Sequence, residues 1–263
     1  MQTTFTEAEL KAEIRRLAPF HHDVALPYGL RTHIPDLSRR EVEQTRLPSF
    51  MTHAWPSLLE ACGGSLDGLR VLDVACNCGG FSVEAARSGA AHVLGIDLVD
   101  HYIEQANFIK NALGLQGVNF KKMALEDLDE AAVGRFDVTF CLGILYHLEN
   151  PVMAMKAIAS VTDRVMIVDT KITGSRFFQK PFWEMNLSVV PASEAAPPRT
   201  ESKFASTSLW RSDKVCQFTP NALAVTALLE FLGFREVRQL KPTAKGVEPR
   251  YYKGRRATFL ALR

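Results

Sequence analysis

The sequence predicts an α/β protein, a mainly parallel sheet with an antiparallel last strand and helices on both faces. Three observations predict it. Between Leu69 and Thr170, short apolar runs alternate with segments of helical period, the pattern of repeated strand and helix units. The first run, "LRVLDVA", passes into "CNCGG", a glycine-bearing turn that opens a helix. Near the C-terminus, "REVRQL" and "ATFLALR" are strand-like runs whose short connection favours antiparallel pairing.

Each element has its own local reason. Residues 6–17 read as a helix, with Thr6 as N-cap and Leu10, Ile14 and Leu17 at helical spacing. Residues 19–38 are rich in turn formers and read as irregular. A helix interrupted near Pro48 leads through "WPSLLEACGG" to the first strand. "AHVLGID" reads as a buried strand, and "DHYIEQANFIKNALG" as a helix with Tyr102, Ala106, Ile109 and Leu113 on one face, closed by Gly114. "VNFKKMA", "RFDVTFCLG" and "DRVMIVDT" are further strands, and "NPVMAMKAIASV" is a helix. From Lys171 to Gln217 the pattern breaks into a polar stretch bearing Phe177, Phe178, Phe182, Trp183 and Trp210, which reads as a lid-like insertion. In "FTPNALAVTALLEFLGF", Thr219 reads as the N-cap, Pro220 as the first helical turn and Gly233 as the stop. The expected division is a helical or lid segment over 1–65 and a sheet domain over 66–263 with the insertion 171–217.

Composition narrows the classes. With 263 residues, 47% of them hydrophobic and 23% charged, the chain can bury a full core. No apolar run approaches the roughly 18–20 residues of a membrane span, and the N-terminus has no apolar core followed by a small-residue cleavage site. A cytoplasmic protein is expected. The cysteines (62, 76, 78, 141 and 216) have no ligand-spaced cluster, so reduced thiols are expected and no metal. Adjacent His21 and His22 in "FHHD" point different ways and make a poor metal pair. A net charge of +2 is too small for nucleic-acid binding by the whole surface.

The chemistry centres on "VLDVACNCGG". Of a D-x-G-x-G-x-G pattern it keeps Asp73 and Gly79, adds Gly80, and has Ala75 and Asn77 at the other glycine positions. Asparagine tolerates left-handed backbone and alanine adds a single methyl, so the loop can keep its shape. The amides opening the helix at Gly80 to Ser82 offer a place for a carboxylate. Asp97 ends the next strand, where an acidic side chain accepts ribose hydroxyls. The spacing of Asp73 and Asp97 alone fits a dinucleotide or S-adenosylmethionine. The dinucleotide pattern G-x-G-x-x-G retains one glycine of three, Gly80, and ranks second.

From Val71 onward the set resembles Rossmann-like S-adenosylmethionine-dependent methyltransferases. It joins the glycine loop and Asp97 with "ALEDL", "FDVTFCLGILYHLENP" and "GFREVRQL…RRATFLALR". The resemblance implies S-adenosyl-L-methionine as cofactor, with Asp73, Ala75, Asn77 and Gly79 in its loop. It also implies Asp97 at the ribose, Leu125 and Glu126 near the adenine, Leu142 bordering the cofactor, and Leu98 among the cofactor-binding residues. Within that family, "LPYGLRT", "LDVACNCGGFS", "GILYH" and "FTPNALAVTALLEFLGF" are similar to the bacterial tRNA wobble-uridine carboxymethyltransferase group. Where that group reads a carboxylated cofactor through lysines, this chain has His22 and Ala54, while Arg256 matches the group's C-terminal arginine.

Methyl transfer needs alignment, desolvation and in some enzymes a base. His147 is the candidate base, with bracing of the turn before "ENP" as the alternative. Tyr146 is read as a positioning group or as packing. Basic residues Lys241, Lys245, Arg250, Lys253, Arg255 and Arg256 face one acid, Glu248; this is a solvated loop or a place for an anionic substrate. Arg256, Trp183 and Tyr28 are the candidate substrate contacts. The expected function is methyl transfer to a small-molecule acceptor, anionic or aromatic. The alternatives are tRNA wobble-uridine modification and a cofactor-binding protein without catalysis.

Overall fold

The computed structural model describes residues 4–34, 46–174, 180–189, 214–242 and 247–263. Phe177, Phe178, Trp210 and Lys245 lie outside the described residues, as does the side chain of Cys216.

The N-terminal helix starts where its cap dictates. In α1 (Glu7–Leu17) the Thr6 hydroxyl accepts from the Glu9 N–H at 3.3 Å, while the Glu9 carboxylate accepts from the Thr6 N–H at 2.7 Å. This reciprocal capping satisfies two donors that an open helix end leaves orphaned. Helices α2 (Arg46–His53) and α3 (Trp55–Ala61) follow. Pro48 does not interrupt α2, because it lies in the first turn where its missing N–H costs no helical bond. The break comes instead at Ala54, just ahead of Pro56.

The remaining elements alternate. β1 (Arg70–Val74), α4 (Gly80–Arg87), β2 (His92–Asp97), α5 (Asp100–Ala112) and β3 (Val118–Lys122) come first. Then follow α6 (Glu130–Val133), β4 (Phe136–Leu142), α7 (Pro151–Ser160) and β5 (Thr162–Lys171). After a ribbon of β6 (Trp183–Val189) and β7 (Lys214–Pro220), the chain ends with α8 (Ala222–Phe231), β8 (Glu236–Leu240), α9 (Pro249–Tyr252) and β9 (Arg256–Leu262). Within one group the strands follow the order β3-β2-β1, and within another β4-β5-β9-β8. β1, β2 and β3 pair in parallel, as do β4 and β5, and β9 is antiparallel to both β5 and β8.

One compact unit is built around β1 to β3 and another around β4, β5, β9 and β8. In the first, α1 lies on α5, with the rings of Phe5 and Phe20 at 5.9 and 6.3 Å from Phe108. The buried Gln105 amide donates to Leu17 O at 2.7 Å and Pro19 O at 3.0 Å, which holds the chain leaving α1 against α5. In the second, every residue of β4 is buried except Asp137, and Thr162 Oγ1 donates to Thr139 Oγ1 at 2.8 Å.

Two expectations are corrected. The insertion 171–217 contains regular structure, since β6 and β7 form an antiparallel ribbon with Trp183 opposite Pro220 and Met185 opposite Phe218. Thr219 and Pro220 belong to that ribbon, and the cap of α8 is Asn221, whose Oδ1 accepts from Ala224 N–H at 2.8 Å. Proline suits a strand end because it lacks the N–H a ladder uses, and asparagine is among the best caps.

Candidate functional site

At the end of β1 the chain turns through Ala75 (φ 54°), Asn77 (φ 52°) and Gly79 (φ 77°). Ala75 and Asn77 therefore keep the left-handed backbone of the glycines they replace. Asn77 stabilises its own conformation, because its Oδ1 accepts from Cys78 N–H at 2.8 Å. Glycine at 79 and 80 is required by packing. A Cβ on Gly79 would stand 2.7 Å from the Phe120 ring, and one on Gly80 2.6 Å from His22 Nδ1.

Asp97 closes β2 beside this loop, 9% exposed. Its Oδ2 accepts from Asn77 N–H at 2.9 Å and its Oδ1 from Val99 N–H at 3.0 Å. Burial raises its pKa above the ordinary aspartate value, against the backbone donors of Val99, Asn77 and Leu98, which favour the charged form. The carboxylate's two oxygens offer about four lone-pair directions, and its backbone donors leave capacity for a further donor, so the residues present fit a ribose hydroxyl. Leu98, next in sequence, is half-buried. Asp73 does a different job: fully buried, it accepts from Ser82 Oγ at 2.6 Å and ties β1 to the first turn of α4.

His22 reaches the same loop from the N-terminal segment. Its Nδ1 accepts from Gly80 N–H at 3.1 Å, its own N–H donates to Cys78 Sγ at 3.2 Å, and its ring stands edge-on to Phe81 at 5.1 Å. An accepting Nδ1 places the proton of the neutral imidazole on Nε2. The expectation that the amides from Gly80 to Ser82 stand ready for a carboxylate is corrected at Gly80, whose N–H is engaged by His22. Burial pushes the Cys78 thiol up to about 12 and raises Cys76 as well, so neither is a nucleophile. Tyr28 lies at φ 58° with its ring exposed, and its hydroxyl donates to Phe5 O at 3.2 Å.

The second unit carries the remaining predicted residues. Leu142, buried, is the last residue of β4; Leu125 is half-buried and Glu126 exposed in the short turn 125–127. Tyr146 and His147 share the turn 145–147, with ring centroids 4.2 Å apart. Strand β7 packs against that turn, and Trp183 is half-buried at the start of β6.

Arg256 is not on a solvated loop. It opens β9 opposite Lys171, 2% exposed, and its Nε donates to Asp169 Oδ1 at 2.6 Å. The same carboxylate accepts from Tyr251 OH and Thr258 Oγ1, each at 2.7 Å. Burial works against the guanidinium charge, but Asp169, with Tyr146 and Tyr251, outweighs it and raises the pKa further. The Arg256 guanidinium lies 5.8 Å from the Tyr146 ring centroid. Lys171 Nζ stands 4.3 Å from the same ring.

Two of these residues, His22 and Lys171, carry no local sequence signal for the positions they take. The ribbon does: in "WEMNLSV" apolar Trp183, Met185, Leu187 and Val189 alternate with polar residues, the period of a strand, although Met185 and Leu187 are exposed. Among the described residues no group of three or more His, Cys, Asp and Glu side chains is placed to hold a metal ion, and no helix is long and apolar enough to cross a membrane.

Residues 65–181 match the protein family described as a methyltransferase domain. The chain is 35% identical over 99 residues to a ubiquinone biosynthesis O-methyltransferase of Leptothrix cholodnii, covering 38% of this chain and 42% of that protein. It is 34% identical over 118 residues to a tRNA U34 carboxymethyltransferase of Campylobacter hominis, covering 43% and 41%. The chain thus spans about two fifths of the length of these curated relatives. Its fold is that of the N-terminal domain of EvdMO1, solved in the presence of SAH and D-fucose, with a TM-score of 0.67 at 20% identity over 98% of this chain and 96% of that one.

Proposed function

We propose that this chain is an S-adenosylmethionine-dependent methyltransferase that acts on a small-molecule acceptor. The observation that carries the reading is the Asp97 carboxylate, held at the end of β2 by the amides of Asn77 and Val99 with acceptor capacity left for a ribose hydroxyl. The match of residues 65–181 to a methyltransferase domain supports it, as do the names of the relatives and the ligand of the EvdMO1 structure. When bound, the cofactor supplies an electrophilic methyl group on its sulfonium.

The chain's own residues supply the rest. Asp97 accepts the ribose hydroxyls, while Ala75, Asn77 and Gly79 set the backbone path beside it. Leu98, Leu125, Glu126 and Leu142 belong to the same cofactor reading through the family resemblance. His147 takes the acceptor's proton and Tyr146 orients the acceptor, held in place by Arg256. Trp183 and Tyr28 complete the acceptor contacts. A net charge of +2 and the ubiquinone-biosynthesis relatives favour a small acceptor over RNA.

The similarity to the Campylobacter hominis tRNA U34 carboxymethyltransferase supports a second reading, RNA modification. A protein that binds the cofactor without turnover is the third.

Calorimetric titration of wild type and Asp97→Ala tests all three, using S-adenosylmethionine, its carboxylated analogue, S-adenosylhomocysteine and NAD. Binding of the plain cofactor and its product, lost in the variant, is the expected result. Preference for the carboxylated analogue with salt-sensitive tRNA binding favours the second reading. Binding without turnover of any acceptor favours the third, and binding of NAD alone overturns the proposal.

A further inference from the structure

Among the described residues, the cluster at the carboxyl end of β5 holds an arginine whose charge is neutralised and a lysine whose charge is not. Arg256 is paired with Asp169 in an interior where both side chains are 1% exposed. Lys171, its register partner across β5 and β9, is exposed. Among the described residues no carboxylate is paired with Lys171; its ammonium rests over the Tyr146 ring instead. Asp169 cancels Arg256 and leaves one unit of positive charge against a buried phenol and the adjoining His147 ring.

We propose that Lys171 is an acceptor-binding residue, and that the acceptor is a small monoanion, a carboxylate borne on an apolar or aromatic body. The inference rests on the methyltransferase reading above and names the substrate class of that site. Three features carry it. Ligands of open parallel sheets lie beyond the carboxyl ends of the strands, where Lys171 stands. The ammonium is held on an aromatic face, which stabilises it without cancelling its charge. One uncompensated charge matches a monoanion, whereas a phosphate dianion calls for more donors than a single ammonium. The half-buried ring of His147, whose centroid is 4.2 Å from that of Tyr146, gives a planar body a surface to lie on.

The test uses the full chain saturated with S-adenosylhomocysteine, titrated with 3,4-dihydroxybenzoate, its neutral amide and phenyl phosphate. Wild type is expected to bind the carboxylate about tenfold or more tightly than the amide, the strength of one charge-assisted contact. Lys171→Gln loses that preference and Lys171→Arg keeps it. S-adenosylhomocysteine affinity stays the same in both variants. Equal binding of acid and amide, binding of neither, preference for phenyl phosphate, or a preference that survives Lys171→Gln overturns the proposal. If S-adenosylhomocysteine itself does not bind wild type, the methyltransferase reading falls and the inference falls with it.

Discussion

His22 Nδ1 accepts a hydrogen bond from the Gly80 N–H at 3.1 Å, so a residue of the N-terminal segment satisfies the first amide of the helix that opens the glycine loop. His22→Ala leaves that amide buried without its partner and opens a gap beside Phe81. The expected cost is about 1–3 kcal/mol, read from urea unfolding midpoints. Asparagine can place its Oδ1 near the position of Nδ1, and His22→Asn is expected to recover part of the loss. Gly80→Ala pushes a methyl into the same ring, so its penalty is expected to shrink in the His22→Ala background; additive penalties would show that the two residues do not act as a pair.

Ala75 and Asn77 share a left-handed backbone and differ in how they tolerate it. Ala75→Gly relieves about 1–2 kcal/mol of steric cost and gives back about 0.5–1 kcal/mol in unfolded-chain entropy, so a small net gain in stability is expected. Asn77→Gly also loses the bond from Cys78 N–H to Oδ1 and is expected to be neutral or slightly destabilising. Thermal melts of the two variants check the contrast, and a destabilised Ala75→Gly would contradict it.

Asp97 makes stability depend on pH in a defined direction. Burial raises its folded pKa above the ordinary aspartate value of 3.8. Between the unfolded and the folded value the folded state therefore binds more protons, so stability falls as pH rises through that window and levels off above the folded pKa. The stability of cofactor-free wild type is expected to lose ground relative to Asp97→Ala as pH climbs from about 4. A relative gain over the same range would mean that the backbone donors of Asn77 and Val99 outweigh burial.

The Asp169–Arg256 pair is buried on both sides. Arg256→Ala leaves the buried Asp169 carboxylate without its countercharge, although Tyr251 and Thr258 still donate to it, and is expected to cost about 3–5 kcal/mol of stability. Replacing both partners, as Arg256→Met with Asp169→Leu, is expected to cost markedly less, because no buried charge is left alone. Chemical denaturation of the two single variants and the double variant decides it; single-variant costs below about 1 kcal/mol would place the pair in the class of weak surface bridges.

Much of the architecture is legible in local sequence. The strands from "LRVLDVA" to "ATFLALR" are apolar runs bounded by turn formers, and Thr6 with Glu9 and Gly79 with Gly80 signal their caps and turns within a few residues. Thr219 misled because two residues competed for one cap. Asn221 took it, and the ribbon extended through Pro220. The alternation that builds β6 was present in "WEMNLSV" but lay inside a stretch read as polar loop.

By itself, the sequence determined the order of the sheet strands and of the longer helices, the left-handed turn after β1 and the carboxylate at the end of β2. These follow from the chain's own periodicity and from turn chemistry acting over a few residues. Only the tertiary structure decided that His22 serves the glycine loop, that Arg256 is spent on Asp169, and that Lys171 is the cation left over the Tyr146 ring. Those outcomes join residues far apart in the chain. A side chain's charge becomes available or cancelled only when packing chooses its neighbours, and no local pattern records that choice.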